Sequence, residues 1–252
     1  MKNFRIIPRL EIKSNNLVKG MRMEGLKKIG DPSEFSKDYY NQFADEIFYE
    51  DIVASLYNRK LNIELIKKIS SNIQIPLTVS GRIRNIKDMY EIFNCGGDKV
   101  SVNTHALKNP KLLKEASNLF GSQSICAHIQ YKKTGVSTYE VFSESGRQRH
   151  YIDLFEWLRL VQDMGVGELY LFSIDNDGVN TELDYHLLER VRKICNVPLL
   201  YGGGIREKSE IDKLVNLNFD GVCISHALHN KKISILSIKK KFQKTMSKYI
   251  YK

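Results

Sequence analysis

The stretch Pro76-Leu-Thr-Val-Ser-Gly-Arg-Ile-Arg84 recurs half a chain later as Pro198-Leu-Leu-Tyr-Gly-Gly-Gly-Ile-Arg206. Each copy is followed, after a helix-length gap, by a short apolar run that leads into His-Ala-Leu, at residues 105–107 and 226–228. A glycine turn after a strand lets backbone N–H groups approach an anion closely. A chain built from two such halves is predicted to carry two similar anion sites on one face, which indicates a substrate with a phosphate at each end.

Eight short β-rich runs alternate with stretches of helical spacing along the 252 residues. The predicted strands span residues 4–12, 46–52, 75–80, 99–102, 124–130, 168–174, 197–201 and 221–225. The predicted helices span residues 33–43, 61–72, 86–94, 110–119, 152–164, 183–195 and 209–217, with a last helix in the lysine-rich end at 231–252. Strict β-then-α order predicts parallel strands that close into a (β/α)8 TIM barrel with a two-fold half-barrel repeat. No linker composition interrupts the pattern, so a single domain over residues 1–252 is expected.

The connections between these elements carry further signals. Residues 13–30 follow the first predicted strand and residues 131–150 follow the fifth, and both connections are too long for plain turns. Each leaves the C-terminal end of its strand, where such barrels hold their chemistry, so both are candidate lids. Asp31-Pro32 and Asn109-Pro110 each predict a helix start, with an N-cap oxygen followed by proline at the first helical position.

The formal charge of +10 is concentrated at the C-terminal end, because residues 231–252 hold eight lysines and no acidic residue. An amphipathic helix is predicted there, with Ile233, Leu236 and Ile238 inside and the lysines at 239, 240, 241 and 244 in solvent. This interpretation is favoured over a nucleic-acid or membrane surface, and neither partner is expected.

The cysteine pattern and the hydropathy indicate the cellular compartment in which the protein is expected. The four cysteines are isolated from one another and flanked mostly by apolar residues, which is typical of buried thiols in a reducing compartment. Residues 1–16 lack the apolar core of a signal peptide, and no apolar run is long enough to span a membrane. A cytoplasmic protein is expected.

Glu11 and Gln130 stand at matching ends of the first and fifth predicted strands. Acid–base chemistry in a barrel would place its titrating groups here, and Glu11 can titrate while Gln130 can only orient a ligand. The alternative for Glu11 is an exposed strand-end carboxylate paired with Lys13 or Lys19. The six histidines lack ligand spacing, so neither a metal nor a cofactor is expected.

Four charged residues fall at or near strand starts, namely Arg5, Glu46, Lys99 and Glu168. They are predicted to ring the N-terminal mouth of the barrel with two cations and two anions. Taken alone, such a ring is typical of a closed salt-bridge layer that plugs a barrel.

Motifs along essentially the whole chain stand in one order: Arg5-Ile-Ile-Pro8, Leu17-Val-Lys-Gly20, Asp98-Lys-Val-Ser101, Phe120-Gly-Ser-Gln123 and Ser173-Ile-Asp175. In this order and register the chain resembles the cyclase subunit of imidazole glycerol phosphate synthase. The resemblance implies a bisphosphate substrate at the C-terminal face of a duplicated half-barrel. It also implies a heterodimer with a glutaminase subunit on the N-terminal face, from which ammonia passes along the barrel axis.

Roles carried over from this family fall on particular residues. The resemblance implies substrate or phosphate contacts for Lys19, Asp51, Gly81, Arg82, Asn103, Thr104, Asp177, Gly178, Gly203, Gly204 and Ser225. It reinterprets the ring of Arg5, Glu46, Lys99 and Glu168 as the gate of the ammonia channel. Asp98 matches a position that faces the partner.

The chain departs from the family pattern at its catalytic positions. The family's two catalytic aspartates are Glu11 and Gln130 here, and Arg82 replaces a glycine. The preferred hypothesis is a paralogue that docks a glutaminase but delivers ammonia to a changed acceptor. Such members resemble proteins of surface-polysaccharide pathways, where a sugar amidotransferase converts an acetamido sugar to an acetamidino sugar.

Two alternatives stay open. The first is the ordinary histidine-pathway cyclase, in which Glu11 is the acid–base group and Gln130 orients the substrate; its products in the family are imidazole glycerol phosphate and an aminoimidazole carboxamide ribotide. The second is a non-catalytic scaffold for the glutaminase.

Overall fold

A closed β-barrel forms the centre of the computed structural model, which describes residues 4–240. The strands in chain order are β1 (Arg5–Lys13), β2 (Asn16–Met21), β3 (Glu24–Gly30), β4 (Ile47–Asp51), β5 (Leu77–Ser80), β6 (Lys99–Val102), β7 (Ile125–Lys133), β8 (Tyr139–Ser143), β9 (Gln148–Asp153), β10 (Glu168–Ser173), β11 (Leu199–Gly202) and β12 (Gly221–Ile224). Parallel pairing runs in the order β1-β4-β5-β6-β7-β10-β11-β12 and returns to β1, which closes the circle. The predicted eight-stranded TIM barrel is confirmed.

The helices surround this barrel. They are α1 (Pro32–Asn41), α2 (Ile63–Ser70), α3 (Ile86–Asn94), α4 (Thr104–Lys108), α5 (Lys111–Phe120), α6 (Leu154–Asp163), α7 (Tyr185–Ile194), α8 (Lys208–Asn216) and α9 (His226–His229). The short helices α4 and α9 hold the two His-Ala-Leu copies and were not predicted, because one or two turns of helix give no periodic pattern.

One of the two predicted helix starts is correct. Asp31 caps α1 by accepting hydrogen bonds from the backbone N–H groups of Ser33 and Glu34, and Pro32 is the first helical residue. The prediction at Asn109 is wrong, because this residue ends α4 by donating its N–H to the His105 carbonyl. Pro110 is therefore itself the cap of α5 and makes no side-chain capping bond.

Both candidate lids are antiparallel hairpins that extend strands of the barrel. The β2–β3 hairpin pairs with the end of β1, with Ile12 opposite Leu17. The β8–β9 hairpin pairs with the end of β7, with Gln130 opposite Phe142. Since β1 and β7 are the first strands of the two halves, the hairpins follow the same half-barrel repeat as the glycine turns.

The half-barrel repeat is also visible in two hydrogen bonds between backbone N–H groups and carboxylates at the N-terminal mouth. The Asp98 carboxylate accepts the Leu77 N–H at 2.8 Å, and the Asp220 carboxylate accepts the Leu199 N–H at 2.9 Å. In each pair the residues are 21 positions apart. The family resemblance predicts that Asp98 faces a partner, and this residue is exposed. Its hydrogen bond to Leu77 also holds the start of β5.

Two apolar layers result from the alternation of side chains along the barrel strands. The outer layer lies between strands and helices and includes Ile47, Leu113 and Leu188. The inner layer fills the barrel and includes Ile7, Phe48, Cys126, Tyr170, Leu200 and Cys223. All four cysteines are buried and unpaired, as predicted.

The C-terminal helix is described only over residues 235–240. Ile235 and Ile238 are buried, whereas Leu236 is 38% exposed, so the prediction that placed Leu236 inside is wrong by one position. Lys239 binds the Asp45 carboxylate at 2.5 Å instead of pointing freely into solvent. Lys241 and Lys244 lie outside the described residues. No helix between residues 4 and 240 is long and apolar enough to cross a membrane.

Replacing Asp98 by Ala is expected to lower the free energy of unfolding by about 1 kcal/mol, because the Leu77 N–H loses its charged acceptor. Asp98→Asn keeps an acceptor oxygen and is expected to cost clearly less. Urea denaturation of both variants measures the difference. Equal stability of the Ala and Asn variants would show that the hydrogen bond contributes nothing.

Candidate active site

Two clefts open at the C-terminal mouth of the barrel, with empty volumes of about 390 and 320 Å³. The first cleft is lined by predicted site residues of the first half, Asp51, Gly81, Arg82, Asn103 and Thr104, together with Gln130 and Ser55. The second cleft is lined by Asp177, Gly178, Gly203, Gly204 and Ser225. The structure therefore sorts these predicted residues into two pockets related by the repeat.

Backbone geometry requires glycine at the turn beside each cleft. At Gly203 the φ angle is +88°, and a Cβ atom would lie 2.2 Å from the Ser173 carbonyl oxygen. At Gly81 the φ angle is +115°, and a Cβ atom would lie 2.8 Å from the Asp51 carbonyl oxygen. Each turn is therefore pressed against the last residue of the neighbouring strand, which leaves its other side for a ligand.

Arg82 breaks the symmetry of the two clefts. Its position is equivalent to that of Gly204, and its backbone keeps a left-handed φ of +40°, which is strained for a residue with a side chain. The backbone N–H donates to Ser55 Oγ at 3.2 Å, and Nε donates to Asn58 Oδ1 at 3.0 Å. The guanidinium is thus tethered at the rim of the first cleft.

Glu11 lies fully buried between the clefts at the centre of a chain of charges. Its carboxylate accepts hydrogen bonds from Arg9 Nη1 at 2.5 Å, from Lys19 Nζ at 2.7 Å and from Ser225 Oγ at 3.1 Å. The alternative of an exposed carboxylate is wrong, although the predicted pairing with Lys19 is correct. Three donors therefore satisfy the Glu11 carboxylate.

The same chain of charges continues in both directions. Lys19 also binds Asp177 at 2.7 Å, and Arg9 Nε donates to Glu50 Oε2 at 2.7 Å. We call the five residues Glu50, Arg9, Glu11, Lys19 and Asp177 the buried charge chain; all five are at least nine-tenths buried. Burial alone would raise the pKa of Glu50, but the charge and hydrogen bond of Arg9 outweigh burial and lower it.

Arg9 and Glu50 were not predicted as site residues. A signal was present, because alternate residues of a barrel strand point inward, and Arg5, Ile7, Arg9 and Glu11 share that alternation. Extending the alternation from Arg5 to Glu11 would have placed Arg9 inside the barrel.

The β2–β3 hairpin is fixed over the second cleft. Asp177 accepts the Arg22 N–H on its carbonyl at 2.7 Å and the Met23 N–H on its carboxylate at 3.1 Å. Since Lys19 on β2 also binds this carboxylate, the hairpin and the second cleft share one anchor.

The β8–β9 hairpin is fixed over the first cleft. Gln130 Oε1 accepts the Gly146 N–H at 3.1 Å, and Asn103 Nδ2 donates to the Phe142 carbonyl at 3.1 Å. Gln130 is buried and cannot take a proton, so in this arrangement it positions the hairpin.

At the opposite mouth, the four predicted ring residues form a closed set of ion pairs. Arg5 binds Glu46 at 2.9 Å and also binds Glu168, while Lys99 binds Glu46 at 2.7 Å and Glu168 at 2.9 Å. Thr78 donates a further hydrogen bond to Glu46. Burial would lower the pKa of Lys99, but the two carboxylates outweigh it and raise the pKa. The ion pairs therefore close this end of the barrel.

Among residues 4–240, no group of three or more His, Cys, Asp or Glu side chains is arranged to hold a metal ion.

Comparison with known proteins places this barrel in a family. Residues 5–234 match the family described as histidine biosynthesis protein. This chain belongs to the HisF family of histidine biosynthesis proteins. It is 40% identical over 212 residues to imidazole glycerol phosphate synthase subunit HisF of Legionella pneumophila, covering 84% of this chain and all of the relative. It is 39% identical over 236 residues to HisF of Hydrogenobaculum sp. (strain Y04AAS1), covering 93% of this chain and 94% of the relative.

Within this HisF-family barrel, Asp51 is a site residue whose pKa is raised. It ends β4 beside the first cleft, is 6% exposed, and accepts the Val53 N–H at 3.1 Å. Burial raises the pKa of Asp51 from 3.8 to about 6, and the backbone hydrogen bonds only partly oppose this effect.

The raised pKa of Asp51 predicts a pH-dependent stability. The folded state holds the proton more tightly than the unfolded chain, so the stabilisation is present below about pH 4 and is lost as the pH rises through about 6. As the pH rises between these limits, the free energy of unfolding of the native chain is expected to fall by up to about 3 kcal/mol relative to that of Asp51→Asn. Urea denaturation of both proteins at several pH values measures it. A constant difference across this range would contradict the prediction.

Proposed function

We propose that this chain is the barrel subunit of a glutamine amidotransferase of the imidazole glycerol phosphate synthase type. Ammonia from a HisH-like glutaminase enters at the N-terminal mouth, and a phosphorylated acceptor binds in the two clefts at the other mouth. The observation that carries the proposal is the chemical division of the barrel. A closed ring of four charges lies at one end, and two glycine-turn clefts lie at the other.

The clefts support an acceptor with two anionic ends. Gly81 and Gly203 keep side chains away from each turn, and Asn103, Thr104 and Ser225 supply polar groups beside them. Backbone and hydroxyl donors of this kind suit phosphate oxygens. We assign one phosphate to each cleft, with Lys19, Asp51, Asp177 and Gly178 near the bound acceptor.

The N-terminal face offers a surface for the glutaminase. Phe43 lies just before β4 at this end of the barrel and is 67% exposed, close in sequence to the ring residue Glu46. Exposed aromatic side chains are frequent anchors of protein interfaces. We propose that the glutaminase covers Phe43 and Asp98 in a heterodimer, and that ammonia passes when the ion pairs of Lys99 separate.

We further propose that the acceptor differs from the ribonucleotide of the histidine pathway. The Glu11 carboxylate is already bound by Arg9, Lys19 and Ser225, which restricts its access to a substrate atom. Gln130 cannot transfer a proton, and Arg82 is tethered where the second half has a glycine. An acetamido sugar of a surface-polysaccharide pathway, handled together with a sugar amidotransferase, fits the changed chemistry.

The histidine-pathway cyclase is the second candidate. The curated relatives described above carry the name of that synthase subunit, and Lys19, Asp51 and Asp177 occupy the barrel mouth. In this candidate Glu11 is the acid–base group and Gln130 orients the substrate.

A turnover assay with ammonia supplied directly separates the two candidates. With the bisphosphate ribonucleotide of the histidine pathway, we expect the purified chain to turn over at least a hundredfold more slowly than a HisF enzyme, because Gln130 cannot transfer a proton. Gln130→Asp is expected to raise this rate little, since Glu11 stays locked in the buried charge chain. A normal rate in the native chain would establish the cyclase, and a large gain in the variant would indicate a decayed cyclase site.

Docking of the glutaminase is tested by Phe43→Ser. We expect at least a tenfold weaker complex with a HisH-type glutaminase from the same genome, measured by calorimetry, because an aromatic anchor is lost. Val136→Ser is the matched control, since Val136 is 92% exposed at the opposite end of the barrel. Equal effects of the two variants, or no complex with the native chain, would argue against docking on the N-terminal face.

A further inference from the structure

The floor of the first cleft lies inside the barrel, below the predicted site residues. It is formed by Glu50, Ser80, Ser101 and His128, whose exposed fractions are 4%, 3%, 1% and 1%. Ser80 is satisfied, because its hydroxyl donates to the Ser101 carbonyl at 3.0 Å. The other three side chains present polar atoms to the same space.

These polar atoms lack protein partners. Neither ring nitrogen of His128 makes a hydrogen bond, and Ser101 Oγ has only the Cys126 thiol beside it, a weak partner. Glu50 Oε2 is taken by Arg9, whereas Oε1 lies 3.6 Å from His128 Nδ1, beyond hydrogen-bond distance. Buried polar groups are nearly always satisfied in folded proteins, so this set indicates a bound ligand.

The charge at this floor favours a cation. The buried charge chain contains three carboxylates, of Glu50, Glu11 and Asp177, but only two cationic side chains. Burial lowers the pKa of His128 to about 4, so the ring is neutral and accepts a hydrogen bond on one nitrogen. Asp51 and Glu144, the other carboxylates that line this cleft, add no positive charge, and the cation Arg82 lies at the rim, where Asn58 binds its guanidinium.

The floor also lies on the axis between the two mouths. Ser101 is two residues after Lys99 on β6, and the alternation of a strand directs both side chains into the barrel. Glu50 follows Glu46 on the inward face of β4 in the same way, with Phe48 between them. A molecule that passes the ring reaches this floor before it reaches the open cleft.

We propose that Glu50, Ser101 and His128 form a binding site for ammonium, a small cation that donates several N–H bonds. The inference rests on the proposed passage of ammonia and assigns a resting site to its conjugate acid, which takes its proton from solvent water and must return it before the nitrogen can attack an acceptor. Glu50 Oε1 supplies the charge, His128 accepts one N–H, and Ser101 accepts another. Phe48, Tyr170 and Phe172 surround His128 and leave little room for a larger amine.

The test is a titration of the full-length chain alone, labelled with 15N-histidine and followed by NMR of the imidazole nitrogens. Ammonium chloride is compared with potassium chloride, which matches it in charge and approximate size but donates no hydrogen bond. Methylammonium chloride tests whether the site has room for a larger amine. We expect a saturable shift of the His128 signals with ammonium, at least fivefold weaker binding of methylammonium, and no saturable shift with potassium. His128→Gln identifies the signals by their loss.

Two variants and a control locate the site. Glu50→Gln is expected to weaken ammonium binding at least tenfold, and Ser101→Ala at least threefold. Glu144→Gln removes a carboxylate from the rim of the same cleft and is expected to leave the affinity within twofold. If Glu50→Gln fails to fold because Arg9 loses one of its two charged partners, Ser101→Ala decides the question.

The outcomes separate this site from the proposed function. Identical curves for ammonium and potassium, a linear response, or unchanged affinity in Ser101→Ala would overturn the ammonium site. Because no glutaminase is present in this experiment, such a result would not contradict the proposal that the glutaminase docks on Phe43. Saturable ammonium binding without glutaminase docking would keep the site and overturn the proposed source of its ligand.

Discussion

Closure of the barrel is the constraint on which the rest of the structure depends. Alternate residues of each strand must point into a space that water barely reaches, so an inward polar group is costly unless it has a hydrogen-bond partner. On β1 this rule applies to Arg5 and Arg9 as well as to Glu11. Arg5 is neutralised by the ring, and Arg9 is neutralised by Glu50 and Glu11. The ring, the buried charge chain and the apolar layer between them therefore follow the alternation of inward residues along β1.

This constraint makes the residues of the buried charge chain depend on one another. Removing one partner of a buried ion pair leaves an uncompensated charge and costs about 3–5 kcal/mol. Glu50 without Arg9, or Asp177 without Lys19, would each be such a case. The glutamate at position 11 is therefore better explained as one member of a rearranged set than as an isolated substitution. That is the physical reason to connect the changed site with a changed acceptor.

The sequence was sufficient for the barrel and the position of the ring, because these follow from strong periodicities and from the duplicated glycine turns. It also located the two long connections, but it did not predict that they form hairpins. It was insufficient where partners are distant in the chain. The sequence leaves open an exposed Glu11, since the burial of this residue depends on Arg9, Lys19 and Ser225, and the last two come from outside β1. It predicts a helix cap at Asn109 because nothing local reveals that this residue ends α4. It assigns no role to His128, because an inward histidine resembles any core residue in the sequence.

The two halves of the barrel differ in the polarity of the residues at matching register positions. Glu50 lies opposite Glu11 in the β1–β4 register, and Phe172 lies opposite Gln130 in the matching β7–β10 register. The first half thus places carboxylates where the second places an amide and an aromatic ring, and Phe172 packs against Arg9 at 4.1 Å. The first cleft consequently extends into a polar floor, whereas no equivalent floor lines the second. An asymmetric acceptor would then have its reacting group over the first cleft, because a polar path from the ring side reaches the mouth there.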